Sequence, residues 1–244
     1  MDNFGLKGTF ITFGVIFGIF LPLLSLVFHN PKSNEVINTI TSTDNGNKEI
    51  TNIMETRNFW LLYINFIIGT TVGLMIIATS GIIGSNYYDI EIHVIALIVS
   101  FFAICNSIVR PVFGALNDRI GTKKVIAVIH IITIISSLII IFQPLNNFMN
   151  YVLGLSLAWM MLGAWLAVAP AATHNLFAEE NYSKNYGIIF TGYGVGAIIC
   201  VLFSGRIIDA NLSIAFIFTP VIVLSFISQI ITKIYLKTSQ EKKA

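Results

Sequence analysis

The sequence predicts an all-α, polytopic membrane protein with about seven transmembrane helices, and three observations lead to this. Only 11% of the 244 residues are charged, against about 25% in soluble domains. Hydrophobic residues make up 55% of the chain, and the mean hydropathy is +0.82. The charges also avoid long stretches, because none lies in 8–28, 58–88, 125–178, 185–205 or 210–232. A helix needs about 20 apolar residues to cross a bilayer, so 125–178 has room for two helices and each other stretch for one.

Seven spans follow in order along the chain. We place them at 8–28, 59–83, 93–115, 123–142, 151–172, 186–208 and 213–236. Polar segments separate them, and Gln143-Pro144 with the asparagines that follow is typical of a tight turn. Residues 29–58 are rich in Asn, Thr and Ser, which predicts a flexible linker, and 237–244 form a short tail.

Positive charge is unequally divided between the two sets of loops. Two cations, Lys7 and Arg206, fall on one side, and eleven fall on the other: Lys32, Lys48, Arg57, Arg119, Lys123, Lys124, Lys184, Lys233, Lys237, Lys242 and Lys243. Lys and Arg collect on the cytoplasmic side of membrane proteins. We therefore expect the linker 29–58 and the C-terminus to be cytoplasmic, the N-terminus to face outward, and the protein to lie in the cell membrane.

Residues 1–28 have a second interpretation, as a signal peptide. The 21 uncharged residues at 8–28 are long for a signal sequence, and no small-x-small cleavage site precedes His29. A transmembrane helix is therefore favoured; cleavage would leave six spans.

Several other classes of protein are disfavoured. The net charge of +2 is not gathered into a basic surface for nucleic acid, and Cys105 and Cys200 lie in apolar runs without metal-site spacing. No acid pair or Ser/His arrangement for catalysis stands within a span, so we expect neither an enzyme nor a cofactor. A heptahelical receptor would usually show a Cys where His93 stands and an N-P-x-x-Y motif in its last span.

The sharpest local signal lies in the short loop between the third and fourth spans: Gly114-Ala-Leu-Asn-Asp118-Arg119-Ile-Gly121-Thr-Lys123-Lys124. Gly114 would let a neighbouring helix approach closely, and Asp118 could cap a helix N-terminus. Gly121 suits a tight turn, and the cations suit an anionic lipid surface. The alternative is an ordinary positively charged loop that happens to contain these residues.

This loop resembles the signature G-x-L-x-D-R-x-G-R/K-R/K of the major facilitator superfamily. Two further stretches are similar to its oxalate/formate antiporter branch: Arg57-Asn-Phe59-Trp60, and Pro170 to Gly196 with Asn185-Tyr186-Gly187. The resemblance implies that 59–236 are helices seven to twelve of such a transporter, a six-helix C-terminal half. It also implies that 1–28 are its sixth helix and that the partner is a missing N-terminal half or a second copy.

Arg110 is the charged residue that lies well inside a span. A cation within the bilayer costs several kcal/mol unless it is paired or hydrated, so it is a candidate functional residue. In the family that the chain resembles, an arginine on this helix holds the substrate carboxylate. The alternative is that Arg110 extends to the interface or pairs with loop groups. The second cation of the oxalate carrier, a lysine on the eleventh helix, has no counterpart here, which favours a monocarboxylate such as formate, lactate or pyruvate.

Other residues are predicted to line a small polar cavity beside Arg110, namely Asn106, Asn65, Trp159, Trp165 and Tyr193. Structural roles in helix packing are the alternative for each of them. Gly192, Gly194 and Gly196 predict close helix packing. The sequence thus predicts a carrier of a small organic anion that works by alternating access, with a truncated, non-transporting fragment or one part of a split or oligomeric carrier as the alternative.

Overall fold

A computed structural model describes residues 5–26, 52–142, 148–177, 181–209 and 213–240. Its helices are α1 Gly5–Ser25, α2 Arg57–Tyr88, α3 Ile92–Ile120, α4 Thr122–Phe142, α5 Phe148–Leu176, α6 Tyr182–Asp209 and α7 Ile214–Gln240. Seven of the described helices are long and apolar enough to cross a membrane, and the described residues contain no strand. The predicted all-α, seven-helix fold is confirmed.

Most helices extend beyond the predicted spans. The second span was expected at 59–83, but α2 runs from Arg57 to Tyr88. Thr56 caps its start by accepting a hydrogen bond from the Phe59 N–H, and Asp89 ends it in a left-handed conformation with φ of 53°. Uncharged polar residues continue a helix readily, so hydropathy alone places its end too early. α7 likewise continues through Gln240, into the predicted tail.

The predicted linker 29–58 and the turn at 143–147 fall largely outside the described residues. The described end of the linker is ordered: Ile53–Glu55 form a short 3₁₀ helix, and Ile53 is buried in the core. The Trp60 indole nitrogen donates to the Met54 carbonyl at 2.9 Å, which holds this turn against the start of α2. A single buried side chain and this bond thus fix a segment that composition predicts to be flexible.

The chain divides into two units, 1–50 and 51–244. The first contains α1, a helix of apolar composition whose described side chains are mostly exposed within this unit. The second contains α2 to α7. Each unit has its own architecture, and the remaining description concerns the second.

Helices α2 and α5 form the centre of the second unit. They contact each other. In the most apolar 18-residue stretch of each helix, 67% of the residues are buried in α2 and in α5, against 28% in α3 and in α6. α3 packs mainly on α5, and α6 packs mainly on α2. α4 and α7 contact each other and cover one side of the central pair. The helices α2, α3 and α4 correspond to α5, α6 and α7 in their contacts: α3 packs on α5 as α6 packs on α2, and α4 packs on α5 as α7 packs on α2. This is the pattern of an internal three-helix repeat.

Close approach of the central pair depends on glycine. The Trp165 ring of α5 occupies the position that a Cβ would take at Gly69 of α2. A Cβ at Gly73 would lie 2.7 Å from the Cβ of Leu162. Small residues at such crossings let helices associate tightly in a membrane, where van der Waals packing replaces the hydrophobic effect.

Candidate functional site

Helix α3 presents two different exposed stripes. One is large and apolar, made of Leu97, Phe101, Ile104, Ile108 and Val112. The other is small or polar, made of Ala96, Ser100, Ala103, Ser107 and Arg110. Both repeat at three- and four-residue steps, so each follows one line along the helix. Hydrocarbon suits the first stripe, whereas the second, with its arginine, suits a helical neighbour or water.

The Arg110 guanidinium is positioned by a neutral partner. Its Nη2 donates a hydrogen bond of 3.1 Å to Asn106 Oδ1, one turn earlier on the same helix. It makes no ion pair with a carboxylate of the described residues. Since a guanidinium has five N–H donors, most of them remain available within the part of the chain that the structure describes. Among these residues the charge is held in place without being neutralised.

Asn106 is itself fixed to the neighbouring helix. It is buried, and its Nδ2 donates to the Trp159 carbonyl of α5 at 2.7 Å. The two helices meet this closely because residue 163 is glycine: a Cβ at Gly163 would overlap the Asn106 carbonyl oxygen. A side chain at this position would push α3 away from α5.

Trp159 extends this chain of hydrogen bonds to α2. Its indole nitrogen donates to Ser80 Oγ at 2.8 Å, and the Tyr151 hydroxyl donates to the Ser80 carbonyl at 3.1 Å. Trp159 was expected as a cavity wall, but it is only 7% exposed and holds Asn106 in place. We call Arg110, Asn106, Trp159 and Ser80 the Arg110 cluster. Sequence reasoning missed Ser80, which carries no distinguishing pattern.

Asn65 and Trp165 do not join the Arg110 cluster, contrary to the prediction that they line a cavity beside it. Asn65 is completely buried, and its Nδ2 donates to the Leu61 carbonyl at 2.7 Å. Trp165 is 1% exposed, with its ring 5.6 Å from the His130 ring of α4. Both side chains point from the central pair toward α4 and α7, because that side is covered and must be filled.

A second polar cluster surrounds Asn65. Ser228 Oγ of α7 donates to Asn65 Oδ1, and it also lies 2.5 Å from His130 Nε2. Thr232 Oγ1 lies 3.2 Å from the same Asn65 oxygen. We call Asn65, His130, Ser228 and Thr232 the Asn65 cluster; it joins α2, α4 and α7. His130 and Ser228 are 98 positions apart in sequence, so no local pattern could predict their contact.

Tyr193 lies on α6 at nearly the same depth as Arg110. It is eleven residues after the start of α6, about 16 Å along the axis, and Arg110 is ten residues before the end of α3, about 15 Å. Alternating helix directions bring these two helix ends to the same end of the bundle. The Tyr193 ring is half-buried and stacks on Phe190 with a centroid distance of 5.5 Å.

The predicted signature loop joins α3 to α4 at this end. Gly121 has a φ of 83°, which favours glycine, and its N–H donates to the Asn117 carbonyl at 3.0 Å. Asp118 was expected to cap a helix N-terminus, but it is an exposed residue of the last turn of α3, since Gly121 separates the two helices. Arg119 is also exposed, and Lys123 and Lys124 lie in the first turn of α4.

Comparison with known proteins decides the family. Residues 61–244 match the family described as Major Facilitator Superfamily, which is more than half of the chain. The chain belongs to the major facilitator superfamily. The predicted resemblance is confirmed, and the coarse function, a transporter family of the membrane, follows with it.

Three relatives of this major facilitator chain are informative. The chain is 26% identical over 202 residues to the uncharacterized MFS-type transporter YhjX of Escherichia coli (strain K12), and the aligned region covers 81% of this chain and 49% of that protein. It is 25% identical over 210 residues to the oxalate:formate antiporter of Oxalobacter formigenes, with shares of 82% and 49%. An uncharacterized transporter of Buchnera aphidicola is 27% identical over 189 residues, with shares of 77% and 46%. The chain spans about half the length of these curated relatives.

The glycines of this major facilitator chain differ in their surroundings. A Cβ at Gly192 would lie 3.2 Å from the Tyr63 ring, and one at Gly196 would overlap Thr70 Oγ1, so both seat α6 against α2. The expected packing role does not hold for Gly194 within the described residues, because it points away from α2, and no atom lies within 4 Å of its Cβ position. The same is true of Gly114, which was expected to admit a neighbouring helix.

Proposed function

We propose that this chain carries the substrate-binding half of a secondary transporter for a small organic anion, a monocarboxylate, with Arg110 binding the carboxylate. The single observation that carries this proposal is the state of the arginine. It lies ten residues from the nearest helix end, is anchored by a neutral amide, and has no carboxylate partner among the described residues. Such a cation is costly in a membrane unless an anion or water meets it.

The surroundings of Arg110 support a small ligand. Its stripe on α3 consists of alanines and serines, which leave space beside the guanidinium. The Ser107 hydroxyl on this stripe donates to the Ala103 carbonyl at 3.0 Å, so the guanidinium supplies the hydrogen-bond donors for an anion on this side of α3.

A single cation supports one carboxylate rather than two. Among the described helices, Arg110 is the charged residue deepest in a span, and Tyr193 lies at its depth on α6 with a neutral hydroxyl. One relative is named as an oxalate:formate antiporter, which supports a small carboxylate as the substrate class. Formate, lactate and pyruvate are the candidates, and Asn106 and Tyr193 are the proposed neighbours of the bound anion.

The transport cycle needs a second helical body. Alternating access in this family of folds proceeds by rocking of two halves around a midplane site. The curated relatives are about twice as long as the matched region, so we propose that an N-terminal half or a second copy faces the Ala96–Arg110 stripe. We also propose that the signature loop and the C-terminus face the cytoplasm of the cell. Protease digestion of a C-terminal tag in vesicles of known orientation tests this.

Equilibrium binding tests the site without requiring a second half. The purified chain in lipid nanodiscs is titrated with radiolabelled lactate and formate, with unlabelled oxalate as competitor. Arg110→Gln removes the charge, and Arg119→Gln removes an exposed loop cation as a matched control. We expect saturable binding that Arg110→Gln abolishes and Arg119→Gln preserves. Absence of binding to the wild-type chain, or equal binding to the Arg110→Gln chain, contradicts the proposal.

Transport is tested separately in proteoliposomes. Uptake of labelled lactate is measured for the chain alone and after co-reconstitution with the N-terminal six helices of a full-length relative. We expect uptake in at least one condition, with loss in the Arg110→Gln variant. Binding without uptake in either condition would favour the alternative, a non-transporting fragment.

A further inference from the structure

Four aromatic rings form a continuous line along α6. Tyr182 and Tyr186 are parallel, with ring centroids 5.9 Å apart and planes 2° apart. Tyr186 contacts Phe190 at 5.6 Å, and Phe190 is parallel to Tyr193 at 5.5 Å and 5°. We call these four residues the aromatic ladder. Phe190 also lies 6.4 Å from Phe66, which ties the ladder to α2.

The arrangement of the rings determines which groups line this side of α6. The two parallel pairs are offset, since their centroids are 5.5 and 5.9 Å apart, and Tyr186 and Phe190 are tilted by 48°, so ring edges and hydroxyls are presented beside part of each ring face. None of the three tyrosine hydroxyls makes a hydrogen bond within the described part of the chain. Aromatic edges carry positive potential, so the ring edges together with these O–H donors attract anions.

The position of the ladder connects it to Arg110. It begins at Tyr182, the first residue of α6, beside the exposed Lys184, and ends at Tyr193, which lies at the depth of Arg110. The rings are half-buried or partly exposed, so they line the edge of α6 beside its buried face. A carboxylate moving from this end of the bundle toward Arg110 would meet ring edges and hydroxyls rather than aliphatic groups.

We propose that the aromatic ladder is the access route of the anion, an uncharged surface that guides a carboxylate from the signature-loop end of the bundle to Arg110. This inference rests on the proposed function and adds residues and a direction to it. Neutral donors suit such a route, because they lower the cost of an anion in the membrane without trapping it as a second cation would.

Cysteine accessibility tests the route directly. Cys105 and Cys200 are first replaced by alanine, and single cysteines are then placed by Tyr186→Cys, Phe190→Cys and Tyr193→Cys. Val195→Cys is the matched control, because residue 195 is exposed at nearly the same depth but lies two positions, or about 200°, around the helix from Tyr193. Each variant in proteoliposomes reacts with an anionic and with a cationic methanethiosulfonate reagent, added from the side of the signature loop.

We expect the three ladder cysteines to react and the control at 195 to remain unmodified. Each labelling rate is divided by the rate of the same reagent with a free thiol in solution, because the thiolate itself reacts faster with a cationic reagent. At the ladder positions the corrected rate of the anionic reagent should exceed that of the cationic one by about two- to ten-fold, if ring edges contribute on the scale of aromatic contacts. Saturating lactate should protect the cysteine at 193. Equal labelling at 195, unreactive ladder positions, or a faster corrected rate for the cationic reagent would each overturn the route. Labelling without protection by any monocarboxylate would instead count against the proposed function and leave the route standing.

A pair of substitutions separates the ring from its hydroxyl. With the reporter cysteine at 193, Tyr186→Phe keeps the ring edge, and Tyr186→Leu removes it. We expect Tyr186→Leu to slow anionic labelling about three-fold and Tyr186→Phe to change it by less than two-fold. Equal rates in both variants would show that ring edges do not guide the anion. Circular dichroism of each variant confirms that the helices are retained.

Discussion

The Arg110 cluster and the Asn65 cluster are both groups of hydrogen-bonded polar residues in an apolar bundle. They differ in whether the hydrogen bonds stay among buried residues or lead to an exposed side chain. The Asn65 cluster is closed: Asn65, His130, Ser228 and Thr232 are buried and joined by hydrogen bonds, and their contacts join three helices. The Arg110 cluster is open, because its bonds run from buried Ser80 and Trp159 to a guanidinium on an exposed stripe. A closed cluster stabilises packing, whereas an open one positions a group for something outside the helix.

The difference predicts separate consequences for stability and for binding. Removing a member of the closed cluster should lower the free energy of unfolding and leave anion binding unchanged. Removing Arg110 from the open cluster should weaken anion binding and leave the free energy of unfolding nearly unchanged. Four substitutions test this separation, and two of them lie at positions where both properties could respond.

Arg110→Gln has the largest expected effect and acts on binding alone. Loss of a charge-assisted bidentate contact weakens carboxylate binding by about 100-fold, corresponding to about 3 kcal/mol. The free energy of unfolding in mixed micelles should change by less than about 0.5 kcal/mol, since Arg110 is exposed and its hydrogen bond to the described residues has a neutral partner. A large loss of stability in this variant would break the distinction between the two clusters.

Gly163→Ala should damage both properties, because it acts on the crossing that supports Asn106. The added Cβ overlaps the Asn106 carbonyl, and overpacking of this kind costs about 1–3 kcal/mol of unfolding free energy. Carboxylate binding should weaken as α3 shifts. Gly194→Ala is the control: it meets no atom within 4 Å, and its stability should stay equal or rise slightly.

Asn106→Ala tests whether the amide positions the arginine. Arg110 would remain charged but lose its partner, so binding should weaken by about ten-fold through added side-chain freedom. Asn106→Asp sharpens the test, because a carboxylate there would pair with Arg110 and compete with the substrate. Tighter binding in the Asp variant would contradict the assignment of Arg110 as the anion site.

Ser228→Ala has the smallest expected effect and acts on stability alone. Hydrogen bonds between membrane helices contribute about 0.6 kcal/mol on average and at most about 1.7, so we expect a loss in this range. Steric fit should be kept, since alanine is smaller than serine. Lactate binding measured in the same preparation should equal that of the wild-type chain; a ten-fold change would mean that the Asn65 cluster also serves the site.

Sequence reasoning predicted the fold and the part of the candidate site that lies on α3. Charge-free stretches locate the helices because hydrocarbon imposes a length and a composition on each of them. Arg110 and Asn106 were found together, since residues four apart share a helix face. Asn65 and Trp165 were grouped with them wrongly, because hydropathy gives no helix rotation when nearly every face of a helix is apolar.

The sequence by itself determined the class, the spans and the isolated arginine, because the cost of charge in a bilayer is visible residue by residue. Only the tertiary structure decided which polar residues are neighbours. His130 and Ser228 are far apart in sequence, and their contact depends on how α4 and α7 pack over the central pair. The same packing leaves the polar stripe of α3 uncovered by the described helices, and this is why Arg110 ends an open cluster while Asn65 lies within a closed one.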